Sequence, residues 1–176
     1  SDYAMSPSSG WSLSKNTIDP SPIDCFHLRS ATGDIIKKYD CTGKLREIES
    51  KQGSQVDFNW NPLDPNQLLS IQDANSNREF VFIYDDPWHR VKEIQETVDE
   101  EVQRAEFFYY DQDDYLVGYQ TADPNTEYSF TYDALGRMTG ISLNNTPKVS
   151  LSYTDPQGGF AVSQVTNACN ESTTFT

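Results

Sequence analysis

Apolar and polar residues alternate with a period of two along most of this chain, most cleanly between Glu127 and Leu143. Tyr128, Phe130 and Tyr132 are separated by Ser129 and Thr131, the pattern of a strand with one buried face. Asp133-Ala-Leu-Gly136 follows. Asp133 is suited to accept from turn amides, and Gly136 to take the positive φ that closes a type I turn with a bulge. Met138, Ile141 and Leu143 then resume the apolar side, so the stretch predicts one complete β-hairpin. The same alternation predicts strands over 25–29, 35–39, 45–50, 56–60, 67–72 and 79–84. It continues over 91–96, 104–110, 116–120, 128–132, 138–143, 149–153 and 161–166. Residues 91–105, rich in Glu, Gln and Lys, tempt a helix assignment. Their place between hairpins predicts a long hairpin bent around Asp99-Glu100 instead.

Strands in quick succession with short turns predict an all-β antiparallel meander of hairpin repeats, curling as a sheet or forming a small open barrel. Residues 25–166 are the expected β domain. Residues 1–24 read as a Ser/Pro-rich arm and 167–176 as a polar tail, either of which would cover an exposed sheet edge.

The hairpin motif recurs. Tyr39-Asp40 runs to Gly43, Trp60-Asn61 to Asn66, Tyr84-Asp85 to His89 and Tyr110-Asp111 to Asp114. Tyr132-Asp133 runs to Gly136, and Tyr153-Thr154 to Gly158. The second members of these pairs are spaced by 21 to 26 residues. The position expected in the left-handed region is Gly43, Asn66, His89, Asp114, Gly136 and Gly158, all residue types enriched there. The repeating aromatic is expected to stack on its neighbour's ring.

The complete unit Tyr132-Asp133-Ala-Leu-Gly136-Arg137-Met138 resembles the YD repeat of RHS proteins and teneurins, and the resemblance covers roughly residues 35 to 165. It implies a spiralling β-sheet of the kind that closes into a shell around a toxin polypeptide, or that serves cell adhesion. The implied partner is a protein: a toxin polypeptide or the rest of such a shell. Tyr153-Thr-Asp155-Pro156-Gln-Gly158-Gly159 is similar to an Asp-Pro-x-Gly element that supports self-cleavage in RHS shells, but it lacks the following Leu. As a sequence it reads equally as an ordinary turn.

Composition narrows the picture. With 176 residues the chain is long enough for a core, and 10 Tyr, 9 Phe and 3 Trp within only 36% apolar content suit an aromatic sheet with a wet outer face. A net charge of −14 argues against phosphate-backbone binding, hence no nucleic-acid partner, and suits a basic one. No apolar run reaches the length of a membrane-spanning helix, so no membrane insertion is expected. Cys25, Cys41 and Cys169 lack the spacing of a zinc or redox motif. A Cys25–Cys41 bridge is one alternative, and free thiols are the favoured one.

Candidate chemistry is sparse. Asp111, Asp113 and Asp114 cluster like calcium ligands without the Gly and Glu of an EF-hand, and read first as turn formers. Asp85-Asp86 and Asp99-Glu100-Glu101 would serve as acid–base pairs only if desolvated; on turns they read as solvated. His27 and His89 have no nucleophile in a catalytic context. No catalytic motif, cofactor motif or metal set is present, so the expectation is a non-enzyme.

Met5 reads as a native start after a tag remnant, which implies a cytoplasmic protein. A fragment of a larger RHS protein, secreted or at the cell surface, is equally open. Three functional readings follow: a structural module enclosing or presenting a polypeptide, an acidic immunity-type partner of a basic toxin, or an adhesin or carbohydrate-binding module. The sequons at Asn144 and Asn170 bear on the third. Edge-to-edge self-association is expected if the sheet edges stay open.

Overall fold

A computed structural model describes residues 10–15, 24–85, 89–154 and 161–175. It contains strands β1 (Trp11–Lys15), β2 (Phe26–Ser30), β3 (Ile35–Tyr39), β4 (Leu45–Ser50), β5 (Gln55–Trp60), β6 (Leu68–Asp73), β7 (Arg78–Tyr84) and β8 (Val91–Val98). The others are β9 (Glu101–Tyr110), β10 (Leu116–Gln120), β11 (Glu127–Tyr132), β12 (Met138–Leu143), β13 (Thr146–Tyr153), β14 (Val162–Asn167) and β15 (Ser172–Thr174). All 15 strands lie in one antiparallel meander in sequence order, which does not close on itself. No helix of the described residues is long and apolar enough to cross a membrane.

The predicted alternation becomes a two-faced sheet. Among the described residues from Tyr84 to Ile94 and from Arg104 to Phe175, which form one compact unit, the register puts Tyr128 opposite Tyr119 and Leu143. It puts Phe130 opposite Ile141, and Leu151 opposite Val165. Their alternates, among them Ser129, Thr131, Ser142, Ser150 and Thr166, line the other face. In the other compact unit, the described residues up to Ile83 with Gln95–Gln103, Leu13, Leu28, Lys37, Ile48 and Val56 share one side. The opposite side is a charged ladder in which Lys38 sits between Glu47 (2.6 Å) and Glu49 (3.0 Å).

The expectation of a core is corrected by burial: no apolar residue among those described is fully buried. A single sheet has no second layer to pack against, so each ring and aliphatic chain is covered from the sides only. The residues that are buried are polar, Asp40 (3% exposed) among them.

The segment that tempted a helix is the long hairpin β8–β9, turned by Asp99 (φ 51°) and Glu100 (φ 68°). Two consecutive positive φ values make the tight turn whose twist matches a hairpin. The arm and the tail each contribute an edge strand: β1 pairs with β2, and β15 with β14. Register shifts fall at the strand-end aromatic in four hairpins, at Lys38/Tyr39, Asn59/Trp60, Thr131/Tyr132 and Ser152/Tyr153.

Candidate functional site

The repeat turns are the most highly organised part of the surface, and Asp133 shows why. Its amide donates to the Arg137 carbonyl (3.0 Å), and its carbonyl accepts from Gly136 (3.0 Å). Its Oδ1 accepts from the amides of Leu135 (2.9 Å) and Arg137 (3.0 Å), and its Oδ2 from Arg137 Nε (2.7 Å). One carboxylate thus satisfies the turn amides with one oxygen and a guanidinium with the other. The Arg137 amide, the largest influence, and the guanidinium hold its pKa below the usual carboxylate range.

Asp40 repeats the arrangement with Thr42, Lys44 and Arg46. Desolvation pushes its pKa up, but the hydrogen bonds from the Thr42 hydroxyl, the Lys44 amide, the Arg46 guanidinium and the Thr42 amide outweigh it. They hold the carboxyl at about 2. Asp85 accepts from the Arg90 amide and guanidinium, and the guanidinium foremost keeps its carboxyl low. Asp111 accepts from the amides of Asp113 and Tyr115, both at 2.9 Å. Asn61 plays the same part through Oδ1, accepting from Leu63 (2.9 Å).

A second device joins a repeat to the one before it at four of the strand-end aromatics. The Tyr153 hydroxyl donates to the Met138 carbonyl (2.6 Å), Tyr132 to Leu116 (2.8 Å) and Tyr110 to Val91 (3.0 Å). The Trp60 indole donates to Leu45 (2.8 Å). Each acceptor opens the strand after the preceding turn. Over the same rings lie Arg137 (4.5 Å above Tyr153), Arg90 (4.6 Å above Tyr110) and Lys44 (4.7 Å above Trp60). Above Tyr132 the cation is replaced by Tyr115, stacked at 4.9 Å.

The expected ring-on-ring ladder of repeat aromatics is therefore corrected. Successive repeat aromatics stand two strands apart, about 9–10 Å, beyond ring contact, and the residue from the intervening strand fills the gap. The ring pairs found never join two repeat aromatics: they are Phe108–Tyr119 at 5.2 Å, Tyr119–Tyr128 at 5.9 Å and Tyr115–Tyr132, in which only Tyr132 is a repeat aromatic.

Of the expected left-handed positions, Gly43 (φ 89°), His89 (φ 56°), Asp114 (φ 68°) and Gly136 (φ 75°) have positive φ. Asn66 does not, a second correction. The two residues inserted in that turn let Asp64 build an inner turn, accepting from Asn66 and Gln67, and no left-handed residue is needed there. Gly158, Asp155, Pro156 and Asp86 lie outside the described residues.

Asp111, Asp113 and Asp114 do not converge: Asp111 caps its turn and Asp114 pairs with Arg90 (2.5 Å). No group of metal-ligating side chains is found among the described residues. Tyr39 lines an apolar recess with Leu13, Phe26 and Leu28, Tyr84 ends β7, and His27 pairs with Asp24 (2.5 Å).

The favoured free-thiol reading is overturned at two of the three cysteines. Cys25 and Cys41 form a disulfide, their Cα atoms 5.0 Å apart, and Cys169 is free and exposed. The predicted strand register held the signal, since the Cys25 amide bonds the Tyr39 carbonyl (2.8 Å) and so lies opposite the Asp40-Cys41 turn. The basic residues at 44, 90 and 137 were a second visible signal, for the bridging device.

Two concavities lie beside the turns. One of about 590 Å³ includes Asp40, Arg46, Asp57 and Trp60 in its lining; the other, of about 420 Å³, lies between the Asp111 and Asp133 turns.

No family model matches this chain, and no curated protein matches it. Solved structures do. The Photorhabdus luminescens Tc holotoxin pore, in a form carrying a mutation in TccC3, is similar with a TM-score of 0.50. Its identity is 13%, over 85% of this chain and 10% of that chain. The crystal structure of TcdB2-TccC3-TEV gives 0.48 at 13% identity, over 80% of this chain and 9% of that one. That of TcdB2-TccC3 gives 0.47 at 14%, over 84% and 10%. The chain spans about a tenth of the length of the chains it matches. The likeness to the holotoxin pore concerns the fold alone: an RHS-like antiparallel meander.

Proposed function

We propose that this chain is a non-enzymatic structural and interaction module of RHS type, a segment of β-sheet that encloses or presents a polypeptide in a toxin-delivery or cell-surface context. The observation that carries the reading is the coupling between repeats, in which the strand-end aromatics Trp60, Tyr110, Tyr132 and Tyr153 reach back to the carbonyl behind the preceding turn. Such coupling makes an array extensible by adding repeats. The ends support it too: β1 and β15 are the edge strands, and an uncovered edge is a template for further strands.

Light scattering on the purified chain tests this. Association into multiples of 20.0 kDa is expected, abolished by a proline at Thr174 in β15, whose amide faces away from β14. A monomer at every concentration, unchanged by that proline, would refute a sheet segment with open edges. A second reading, an acidic partner of a basic toxin, is favoured by the net charge of −14. A monomer that binds basic proteins in a salt-dependent way would support it instead.

A further inference from the structure

Three repeat turns hold a guanidinium, and one has the carboxylate without it. Arg46 lies 2.7 Å from Asp40, Arg90 2.6 Å from Asp85 and Arg137 2.7 Å from Asp133. In each, one aspartate oxygen serves the turn amides and the other serves the arginine. Asp111 keeps the first half, its Oδ1 accepting from Asp113 and Tyr115. The position filled by Arg90 and Arg137 in their turns is Tyr115 here, and no cation contacts Asp111 among the described residues. Asp113 likewise has only its amide engaged.

The surroundings form a receptor. The concavity of about 420 Å³ is lined by Asp111, Asp113, Tyr115, Phe130, Tyr132 and Asp133 among others. Asp133 is neutralised by Arg137, so Asp111 and Asp113 set the charge. Tyr115, 36% exposed, lines the concavity while one face of its ring covers Tyr132. Uncompensated carboxylates beside an aromatic surface match a flat cation better than a compact one, because guanidinium forks onto a carboxylate and stacks.

We propose that this concavity receives a guanidinium from outside the chain, the arginine side chain of a partner polypeptide, which completes at Asp111 the ion pair made internally by Arg46, Arg90 and Arg137. The inference needs only the Asp111 turn and stands whether or not the chain is a shell segment. One side chain in a half-open pocket binds weakly, so the partner would use this contact for register beside a broader surface.

The test is an amide-shift titration of the full chain by NMR with acetyl-Gly-Arg-Gly-amide, its citrulline counterpart and its lysine counterpart. Saturable shifts confined to residues 111–117 and 130–134 are expected with arginine, at least tenfold weaker with lysine and absent with citrulline. Asp111→Asn should weaken arginine binding at least tenfold while keeping the fold, since Asn61 shows that an amide oxygen still accepts from this turn type. Tyr115→Arg should place a guanidinium in the site internally, raising the melting temperature and abolishing peptide binding. Non-saturating shifts spread over the acidic surface would overturn the proposal, as would unchanged binding in Asp111→Asn. Equal binding of lysine would overturn the guanidinium assignment.

Discussion

Gly136 and Gly43 occupy equivalent turns but differ in what a methyl group would meet, which allows the energetics of the motif to be separated. Both have positive φ, 75° and 89°. Alanine at either position therefore carries the left-handed strain of an L-residue, about 1–2 kcal/mol. At Gly43 nothing lies within 4 Å of the added Cβ. At Gly136 the Cβ would fall 2.0 Å from the Tyr115 hydroxyl oxygen and 2.7 Å from Cζ. The ring must swing away, forfeiting its stack on Tyr132, worth about 0.5–1.5 kcal/mol. Gly136→Ala should thus destabilise by about 2–3 kcal/mol, and Gly43→Ala by strain alone. Urea unfolding of both variants, and of Gly136→Ala with Tyr115→Ala, reads the difference. In the Tyr115→Ala background the glycine substitution should fall back to the strain value. Equal penalties at Gly43 and Gly136 in the intact chain, or an unrelieved penalty in the double variant, would refute the assignment of Tyr115 as the cover of the turn.

Tyr153→Phe removes the hydrogen bond to the Met138 carbonyl and should lower stability by about 1 kcal/mol in the same assay, leaving the ring beneath Arg137 in place. The carboxyl of Asp40 has its folded pKa depressed from 3.8 to about 2, so its stabilisation is present above the unfolded value and is lost as pH falls from about 4 to 2. Thermal melts should show that loss, and Asp40→Asn should flatten it; a parallel pH profile in the variant would exclude Asp40 as the group concerned. Replacing Cys25 and Cys41 by alanine frees the loop across a separation of 16 residues and should remove about 3 kcal/mol from the surrounding unit. Thiol titration of the native chain should find Cys169 reactive, and a second reactive thiol without denaturant would contradict the bridge.

The sheet was legible because its information is local. Alternation at Tyr128, Phe130 and Tyr132, and Asp133 with Gly136 at the turn, fix strand, face and reversal within a few residues of one another. What the sequence hid lies across strands. The predicted meander already set strand 138–143 between Tyr132 and Tyr153, so stacking of their rings was a mistaken reading of a recurring aromatic. Asn66 misled because its turn has two extra residues, and Asp64 supplies a local alternative to positive φ. The Cys25–Cys41 bridge was hidden by the odd cysteine count, which argues against a framework of bridges but is silent on one. β15, Ser-Thr-Thr, has no apolar alternation to reveal it, whereas β1 alternates Trp11 and Leu13 with Ser12 and Ser14 but is only five residues long within a Ser/Pro-rich arm.

The same geometry shows how little residue identity the turn motif requires. The turn needs an oxygen acceptor, which Asp40, Asp85, Asp111, Asp133 and the amide of Asn61 all supply. The ring above needs a flat or cationic cover, met by Lys44, Arg90, Arg137 and Tyr115 alike. The partner of the strand-end aromatics Trp60, Tyr110, Tyr132 and Tyr153 is a main-chain carbonyl, present whatever the residue. These couplings of one hairpin to the next are thus specified by chemical class rather than residue identity. Because no apolar side chain among the described residues is fully buried, stability must be spread over many such couplings, each of about 1 kcal/mol, rather than held in one core. A repeat that gives up one part, as the Asp111 turn gives up its cation, is therefore tolerated by the sheet and left free to act on something else.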